Sequence, residues 1–418
     1  MRKWKQMKVE KLVPKIRFQG FTEEWEAKKL GEILLKIGDG LHGTPIYNIN
    51  GNTAFVNGNN LINGKIVINK ETKMVDNFQQ SKNDKSLNDN TILMSINGTI
   101  GNLAYYNNEN VMLSKSVAFL ETNKYSKLFI YQLLQSEQII YYFINNLTGT
   151  TIKNLGLKII RKTPCKVPKE KMEQENIGNL LKKIDQLIAL QQQKIALLEL
   201  LKKAFLQKMF ASENQKVPEI RFVGFNDEWE HEKLVNLGHA FSGLSGKSKK
   251  DFGHGKAKFV TYMNVFKNPL ASLLEVEPIE IDNKQHEIKY GDVFFTISSE
   301  TPMEVGMSSV WKYNSPNVYL NSFCFGYRLD YNFDLNYLAF MLRSNDFRKK
   351  VIILAQGISR FNISKNKLLN IEIFFPMLKE QQKIGVFFEE LDQLISTNNH
   401  KLTNLKSLKK SLLQNMFI

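Results

Sequence analysis

Apolar residues recur at helical spacing through two long stretches of the chain. On a seven-residue frame that begins at Ile177, they fill most a, d and e positions as far as Met209, and a frame that begins at Ile384 repeats the pattern as far as Met416. An apolar stripe of this width is typical of coiled-coil helices. The pattern predicts two helices of about 38 residues, each spanning roughly 57 Å at ~1.5 Å rise per residue.

Both stripes are interrupted by polar residues in the same heptad. Gln191 and Lys194 interrupt the first stripe, and Asn398 and Lys401 interrupt the second. A polar residue at an a position costs stability but fixes register and partner orientation. If the helices pair antiparallel, their middles meet, and the sequence then predicts that Gln191 faces Asn398.

Short runs of β-branched and aromatic residues, separated by Asn- and Gly-rich turns, lie before each long helix. Strands are predicted within 53–61, 65–70, 91–96 and 115–120, and again within 258–265, 291–297 and 322–329. Apolar residues at helical spacing then predict a helix over 127–147 and another over 336–355. Each region is therefore predicted to be a mixed α/β domain.

The chain contains nearly the same segments twice. Residues 13–30, VPKIRFQGFTEEWEAKKL, return as residues 217–234 with twelve of eighteen positions identical, and residues 174–211 return as 381–418 with 16 of 38 identical. A repeat of this size indicates a duplicated domain, because solenoid repeats have periods of roughly 20–50 residues. Duplicated modules can lie about a pseudo-two-fold axis, which makes the helix pair antiparallel.

These patterns predict an α+β protein in which two similar mixed α/β domains are joined by two long helices. The helices form an antiparallel coiled coil with pseudo-two-fold symmetry. The expected segments are an N-terminal tail at 1–12, a first domain at 13–168, a first long helix at 169–211, a linker at 212–216, a second domain at 217–376 and a second long helix at 377–418.

The formal net charge is +16 and the sequence pI is about 9.4. Folding gains nothing from this excess, because self-repulsion opposes compaction, so the charge favours a polyanionic partner. The lysines are scattered and form no juxtamembrane cluster, which favours nucleic acid over a membrane surface. A basic proteome, or solubility alone, is the alternative that composition leaves open.

Several other classes of protein are disfavoured. The two cysteines, Cys165 and Cys324, are far apart and form no CxxC pattern, so we expect inert buried thiols and no metal site. The basic N-terminal stretch lacks the apolar core of a secretory signal, and no apolar run approaches the ~18 residues that span a bilayer. We therefore expect a cytoplasmic protein that does not associate with membranes.

The residues offer no evident catalytic centre. There is no Pro-Pro pair of the kind that holds a flipped base in DNA methyltransferases, and GLSGKS at 243–248 is too short for a phosphate-binding loop. His42 has no second carboxylate or nucleophile at a suitable spacing, so we interpret it as a loop histidine. An enzyme in its own right and a coiled-coil scaffold that does not bind DNA remain the alternative functions.

The repeated V-P-x-I-R-F-x-G-F opening, GTTIKNL at 149–155 and the E-Q-x-x-I-G start of each long helix together resemble the specificity (S) subunit of type I restriction–modification systems. DGLHGTPIY at 39–47 also resembles a segment found in the target-recognition domains of that family. The second domain departs from this pattern, with GISRFNI at 357–363 and GLSGKSKKDFGHGKAKF from residue 243. Both departures lie where DNA-reading loops are expected, so they concern the target sequence and not family membership.

The resemblance implies a DNA-recognition and scaffolding subunit without catalysis of its own. Each target-recognition domain would read one half of a bipartite, asymmetric target in double-stranded DNA. The implied partners are two modification (methyltransferase) subunits and two restriction (ATP-dependent motor–nuclease) subunits. S-adenosylmethionine, ATP and Mg²⁺ would be bound by those partners and not by this chain.

Polar and basic residues beside glycine turns and at strand ends are the candidate DNA contacts. Glycine permits the close backbone approach that phosphate contacts need, while Arg, Lys and Asn side chains can pair with base edges. For each residue, a solvated loop side chain is the alternative interpretation. The candidates are Asp39, His42, Thr44, Asn97, Thr99, Thr150, Thr151, Lys153, Asn154, Ser245, Lys247, Lys249, Lys250, Ser298, Ser299, Ser359, Arg360 and Asn362.

Overall fold

The computed structural model describes residues 12–212 and 215–418. The chain divides into two compact units: unit 1 contains residues up to Gln193 together with His400–Ile418, and unit 2 is Lys194–Asn399. The division falls within both long helices, so each unit contains part of each. The tail predicted at 1–12, except Leu12, and residues 213 and 214 of the predicted linker lie outside the described residues.

Unit 1 contains short strands, short helices and the first part of a long helix. Its strands are β1 (Glu26–Lys29), β2 (Lys36–Asp39), β3 (Thr53–Val56), β4 (Leu61–Ile62), β5 (Lys65–Ile66), β6 (Met74–Val75), β7 (Thr91–Asn97), β8 (Thr99–Tyr105), β9 (Val111–Leu113), β10 (Val117–Glu121) and β11 (Pro164–Val167). Its helices are α1 (Leu30–Ile33), α2 (Lys82–Lys85), α3 (Lys127–Leu133), α4 (Glu137–Asn145), α5 (Leu157–Lys162) and α6 (Lys171–Lys208), whose last residues belong to unit 2.

The main sheet of unit 1 has four antiparallel strands in the order β2-β10-β7-β8. A three-stranded sheet, β6-β3-β9, packs on one face, and the helices pack on the other. Met94 and Leu120 point to the helical side, into a core that contains Trp25, whereas Leu93 and Phe119 point to the second sheet. Successive residues of a strand face opposite ways, so the main sheet is buried on both faces.

Unit 2 repeats this arrangement with different peripheral elements. Its strands are β12 (Glu230–Lys233), β13 (Gly238–Ser242), β14 (Phe252–Val260), β15 (Val276–Ile279), β16 (Val293–Thr296), β17 (Ser298–Ser299), β18 (Ser308–Val310), β19 (Val318–Leu320), β20 (Cys324–Leu329), β21 (Phe361–Asn362) and β22 (Glu372–Phe375). Its helices are α7 (Leu234–Leu237), α8 (Tyr262–Lys267), α9 (Leu335–Met341), α10 (Asn345–Ile353), α11 (Lys365–Leu369) and α12 (Leu378–Met416), which continues into unit 1.

The sheets of the two units have equivalent strand orders. The order β13-β20-β16-β18 matches β2-β10-β7-β8, and β15-β14-β19, including its one parallel pair, matches β6-β3-β9. Phe295 faces the helical core while its neighbour Phe294 packs with Trp311 on the other side. The prediction of two similar mixed α/β domains is confirmed.

A buried ion pair joins the repeated opening segment to the start of each long helix. In unit 1 the guanidinium group of Arg17 donates hydrogen bonds of 2.7 and 2.8 Å to the carboxylate of Glu173, 156 residues away. In unit 2 Arg221 donates bonds of the same lengths to Glu380. Both carboxylates are almost completely buried and therefore need such a partner. The most repeated segments of the sequence thus build the scaffold.

The glutamine and glycine of each E-Q-x-x-I-G segment make further contacts that hold the start of the long helix against its domain. Gln174 accepts a hydrogen bond from the backbone N–H of Ser126 and donates one to the carbonyl of Pro168, and Gln381 makes the equivalent two bonds in unit 2. Gly178 lies so close to α3 that a Cβ atom there would be 2.7 Å from the Cβ of Leu128. The glycine therefore permits backbone-to-helix contact that any other residue would block.

The long helices run antiparallel within unit 1. Lys409 of α12 forms an ion pair of 2.6 Å with Asp185 of α6. Phe417, which directly follows the end of α12, packs edge-on against Trp25, and the Trp25 indole donates to Glu173 near the start of α6. As α6 advances from 173 to 185, the chain at the end of α12 therefore runs back from 417 to 409.

Unit 2 has the same antiparallel arrangement. Lys202 of α6 forms an ion pair with Asp392 of α12, and Phe205 packs edge-on against Phe387. The two ion pairs are copies of one another, because Asp185 and Asp392 occupy the same position of the repeat. The predicted antiparallel pairing of the long helices is confirmed.

The structure differs from the sequence prediction at the shorter helices. The single helix predicted over 127–147 is two helices, α3 and α4, and that predicted over 336–355 is α9 and α10. The break falls before Ser136 and before Ser344, which are N-caps of the second helices; the Ser344 hydroxyl accepts the N–H of Phe347. The Ser344 hydroxyl thus satisfies a free N–H group at the start of α10, whereas the Ser136 side chain makes no capping bond; continuous apolar spacing reveals neither break.

Strand lengths also differ from the prediction. The runs 53–61 and 65–70 contribute only β3, β4 and β5, and residues 262–265 of the predicted strand 258–265 belong to α8. The Thr261 hydroxyl caps α8 by accepting the N–H of Asn264. Local capping therefore outweighs the β preference of the sequence TYMNV.

Several d positions of the apolar stripes are exposed. Leu187, Leu201, Leu394 and Leu408 are each between 43% and 51% exposed, whereas Ile184 at an a position is 6% exposed. Within each unit, the surface that a long helix buries is therefore narrower than its apolar stripe. Part of the apolar surface of the helices faces outward. Among the described residues, no helix is both long and apolar enough to cross a membrane.

Candidate nucleic-acid interface

The strand order brings three predicted loop clusters of unit 1 to one end of its main sheet. Antiparallel pairing places Asp39, the last residue of β2, and Asn97, the last residue of β7, beside the start of β10 at Val117. The loop 148–154 reaches the same end, because Asn154 forms a bridge with Asn97. Residues that are more than 100 positions apart in the sequence thus share one surface.

The Asp39 cluster forms a tight turn at this end. The imidazole Nε2 of His42 lies 2.8 Å from the Asp39 carboxylate, and the His42 side chain is 73% exposed. Thr44 is also exposed. Gly40 approaches Leu113 so closely that a Cβ atom would be 2.0 Å from its carbonyl oxygen. The turn therefore requires glycine at this position, while His42 and Thr44 face solvent.

Asn97 and Thr99 form the hairpin between β7 and β8. Gly98 has φ of +75° at the tip, and its N–H donates to the carbonyl of Lys153 in loop 148–154. The side-chain oxygen of Asn97 is buried and has no hydrogen-bond partner among the described residues, while Thr99 is exposed. At this hairpin, Thr99 therefore faces solvent while the side-chain oxygen of Asn97 does not.

Unit 2 gathers its equivalent loops at the same end of its own sheet. β13 ends at Ser242 opposite Phe325, and β16 ends at Thr296 opposite Cys324. Loop 356–362 joins them through the β17–β21 pair, in which Ser298 is opposite Asn362. The loops that follow β13 and β16 therefore lie at one end, together with loop 356–362.

The glycine-rich loop after β13 is held by an ion pair and a hydrogen bond to the segment 282–285. Lys247 forms a 2.7 Å ion pair with Asp282 and is only 13% exposed, and this contact raises the pKa of Lys247 and lowers that of Asp282. The backbone N–H of Ser245 donates to the side chain of Gln285. Lys247 therefore fixes the loop, whereas Lys249 and Lys250 are exposed and face solvent.

Ser298 and Ser299 are less accessible than the sequence predicted. They are 8% and 6% exposed, and the Ser299 hydroxyl donates to the carbonyl of Thr301. The Tyr262 hydroxyl covers this strand by donating to the carbonyl of Ser298, and burial raises the pKa of Tyr262. In loop 356–362, by contrast, Ser359, Arg360 and Asn362 are exposed.

Exposed apolar residues at these surfaces were not selected from the sequence. Ile152 is 63% exposed, Ile358 is 96% exposed, and Phe323, in the turn between β19 and β20, is 57% exposed. The backbone carbonyl of Phe323 accepts the N–H of Ile297, which places that turn beside the end of β16. In the sequence, these residues stand out only as apolar residues within polar loops. An apolar residue is more simply expected to be buried, so the sequence does not predict their exposure.

The remaining predicted residues lie in loop 148–154 and in the long helices. Thr150, Thr151 and Lys153 are exposed in loop 148–154, and Asn154 is half-buried. Gln191 is half-buried in α6, and Asn398 is 1% exposed in α12 with its amide donating to the Leu394 carbonyl. The predicted contact between Gln191 and Asn398 stays a prediction.

Both cysteines lie in the apolar cores. Burial raises the pKa of Cys165 and of Cys324 to about 12. Across residues 12–212 and 215–418 there is no group of three or more His, Cys, Asp or Glu side chains arranged to hold a metal ion.

Known proteins share the sequence pattern and the fold. The family model for the type I restriction modification DNA specificity domain matches residues 22–200 and 226–407. The chain is 23% identical over 342 residues to the type I restriction enzyme MjaVIII specificity subunit of Methanocaldococcus jannaschii, covering 78% of each chain.

Two solved structures have the same overall architecture. The type I restriction–modification S subunit of M. genitalium has a TM-score of 0.60 and 17% identity, over 97% of this chain and 99% of that one. A chain from a structure that addresses complex assembly and conformational transition of the type I R-M system has a TM-score of 0.54 and 15% identity, over 93% of this chain and 96% of that one. At these identities the likeness concerns the fold.

Proposed function

Because this chain belongs to the type I restriction–modification DNA specificity family, we propose that it is the subunit that reads the DNA target in a type I complex. Each unit reads one half of a bipartite, asymmetric target through the loops at one end of its main sheet. The observation that carries this proposal is the repeated gathering of loops of different sequence at equivalent sheet ends.

The chemistry of these surfaces suits double-stranded DNA. Lys153 in unit 1 and Lys249, Lys250 and Arg360 in unit 2 are exposed cations beside glycine turns. Cations and backbone N–H groups position a protein on the phosphates, and polar side chains on the same loops can reach base edges. The net charge of +16 supports the same partner.

The long helices support a scaffolding role. Leu187 and Leu190 of unit 1 are 51% and 61% exposed, and Leu197 and Leu200 of unit 2 are 66% and 63% exposed. Exposed leucines at helical spacing are typical of a surface that binds another protein. We propose that two modification subunits bind the long helices and that two motor–nuclease subunits join the complex.

We further propose that catalysis belongs to those partners. S-adenosylmethionine would be bound by the modification subunits, and ATP and Mg²⁺ by the motor–nuclease subunits. In the Asp39–His42 pair, His42 is exposed and Asp39 is half-buried, and we propose that the pair belongs to a DNA-contacting turn and not to a catalytic site.

The test is methylation mapping in cells that carry the cognate modification subunit, with and without this chain. We expect methylation at a two-part motif only when this chain is present. Replacing residues 217–376 with the equivalent module of another family member should change one half of the motif and leave the other intact. A motif unaffected by this chain, or a swap that alters both halves, contradicts the proposal.

The alternative function is a coiled-coil scaffold that does not recognise DNA. It predicts assembly with partner subunits through the long helices but no sequence-selective DNA binding. Selection of bound sequences from a pool of random DNA duplexes distinguishes the two, because a scaffold recovers no motif.

A further inference from the structure

We propose that residues 150–152 and 358–360 are the tips of two matched loops and that they choose the bases that each unit reads. The remaining residues of loops 148–154 and 356–362 form a common frame that only holds the tips. This inference rests on the proposed function and assigns part of the sequence selectivity to six named positions.

The frame of the two loops is the same. In unit 1 the backbones of Thr148 and Asn154 exchange two hydrogen bonds, of 2.9 and 2.8 Å. In unit 2 Gln356 and Asn362 exchange two bonds of the same lengths. Each loop is also anchored to the adjacent sheet, by the bridge from Asn154 to Asn97 in unit 1 and by the β17–β21 pair in unit 2.

Glycine is required at the same position of both frames. Gly149 has φ of +87° and Gly357 has φ of +141°, in the region that other residues rarely adopt. A Cβ atom on Gly149 would lie 2.2 Å from the carbonyl oxygen of Ile152, and one on Gly357 would lie 2.0 Å from that of Arg360. The backbone of each tip therefore folds back over its glycine, and this fixes the direction in which the tip points.

The tips that these frames present are chemically different. Unit 1 presents Thr-Thr-Ile at 150–152, and unit 2 presents Ile-Ser-Arg at 358–360. All six residues are exposed. No hydrogen bond or ion pair within the described part of the chain holds the side chains of Ile358, Ser359 or Arg360. A frame that both units share, with different residues at its tip, suits a partner such as DNA, whose sequence differs between two sites while its shape stays similar.

The residues at the second tip match features of base edges more closely than features of phosphates. The guanidinium of Arg360 can donate two hydrogen bonds to O6 and N7 of a guanine, and Ile358, which is 96% exposed, can contact a thymine methyl group. A phosphate offers nothing to an isoleucine side chain. Phe323 is also exposed, in the turn whose carbonyl accepts the N–H of Ile297 at this end of the sheet. Thr150 and Thr151, in contrast, carry hydroxyl groups that can pair with several bases.

The proposal is tested by moving one tip onto the other frame. The triple variant Ile358→Thr, Ser359→Thr, Arg360→Ile gives unit 2 the tip of unit 1 and leaves its frame unchanged. The full chain, in complex with its modification subunit, is used to select bound sequences from a random duplex pool. We expect the half of the motif read by unit 2 to change at one or more positions and the other half to stay the same.

Two single variants separate base reading from charge. Arg360→Lys keeps the charge but loses the planar fork, so discrimination at one base should fall on the order of 10- to 100-fold. Lys249→Ile removes an exposed cation from the same end of unit 2 and should weaken binding to all sequences equally without changing the motif. If Arg360→Lys leaves every base preference intact, Arg360 contacts the backbone and the proposal is wrong.

The outcomes distinguish this inference from the proposed function. A wild-type complex that selects no motif contradicts the proposed function itself. A wild-type complex that selects a motif, together with a folded triple variant that selects the same one, contradicts the tip assignment alone. Circular dichroism and thermal unfolding establish folding; if the triple variant does not fold, the Arg360→Lys result decides.

Discussion

Trp25 and Trp229 occupy equivalent positions in the two units, but their indole groups have different surroundings. The Trp25 N–H donates to Glu173 at 3.2 Å, whereas the buried Trp229 N–H has no hydrogen-bond partner within the described residues. Trp25→Phe should therefore cost about 1–2 kcal/mol more free energy of unfolding than Trp229→Phe, because it alone loses a hydrogen bond to a charged group. Urea titration followed by circular dichroism measures the difference, and equal losses contradict it.

The two cysteines lead to a prediction about reactivity. Because burial raises the pKa of both thiols to about 12, almost none of either residue is thiolate near neutral pH, and the thiolate is the reactive form. Iodoacetamide at pH 8 should therefore modify Cys165 and Cys324 only after the protein unfolds in urea. Rapid modification of the native protein, measured by mass spectrometry, contradicts this prediction.

Some residues of the candidate surface could be selected from the sequence, and others could not. Arg360 and the lysines at 249 and 250 are exposed as expected, because basic residues next to glycine turns rarely find a place in a core. Lys247 is less exposed than these residues because it forms an ion pair with Asp282. Asp282 lies 35 residues further along the chain, so the local sequence does not predict this contact. The exposed Ile358 was missed for the opposite reason, since its apolar side chain predicts burial.

At the scale of elements, the apolar seven-residue pattern predicted the long helices, and the repeated segments predicted the likeness of the two domains. The convergence of the loops could not be predicted, because it depends on the strand orders β2-β10-β7-β8 and β13-β20-β16-β18. In these sheets, strands far apart in sequence are neighbours, and hydrophobic alternation alone does not distinguish one strand order from another. The ion pair between Arg17 and Glu173 is likewise a contact between residues far apart in the sequence, so local patterns do not predict it.

The ion pair between Lys202 and Asp392 gives a prediction for the helix pair in unit 2. Lys202→Glu places like charges together and should lower the free energy of unfolding by about 1 kcal/mol, since the pair is partly exposed. Adding Asp392→Lys restores opposite charges and should recover most of the loss. Lys203→Glu, on an exposed neighbour, serves as the control and should have little effect. Equal losses at Lys202 and Lys203 in urea titrations rule out a contribution from the pair.

At the scale of the whole molecule, the charge of +16 predicts strong salt dependence of DNA binding. A protein that contacts about 6–10 phosphates loses on the order of 10³–10⁵ in affinity between 50 and 200 mM salt, because counterions are released on binding. We expect a steep linear fall of log affinity with log salt concentration for the full chain. Fluorescence anisotropy with a labelled duplex measures this slope, and a flat response shows that the charge serves another purpose.

Unit 1 is built from two separate stretches of the chain, and this determines when its core can form during synthesis. Met416 and Phe417 fill the core beside Trp25 and Phe129, yet the ribosome makes residues 400–418 after all of unit 2. The unit that is translated first therefore cannot close its core until the second has emerged. While translation continues, the exposed apolar surface of the nascent first unit is a natural substrate for chaperones.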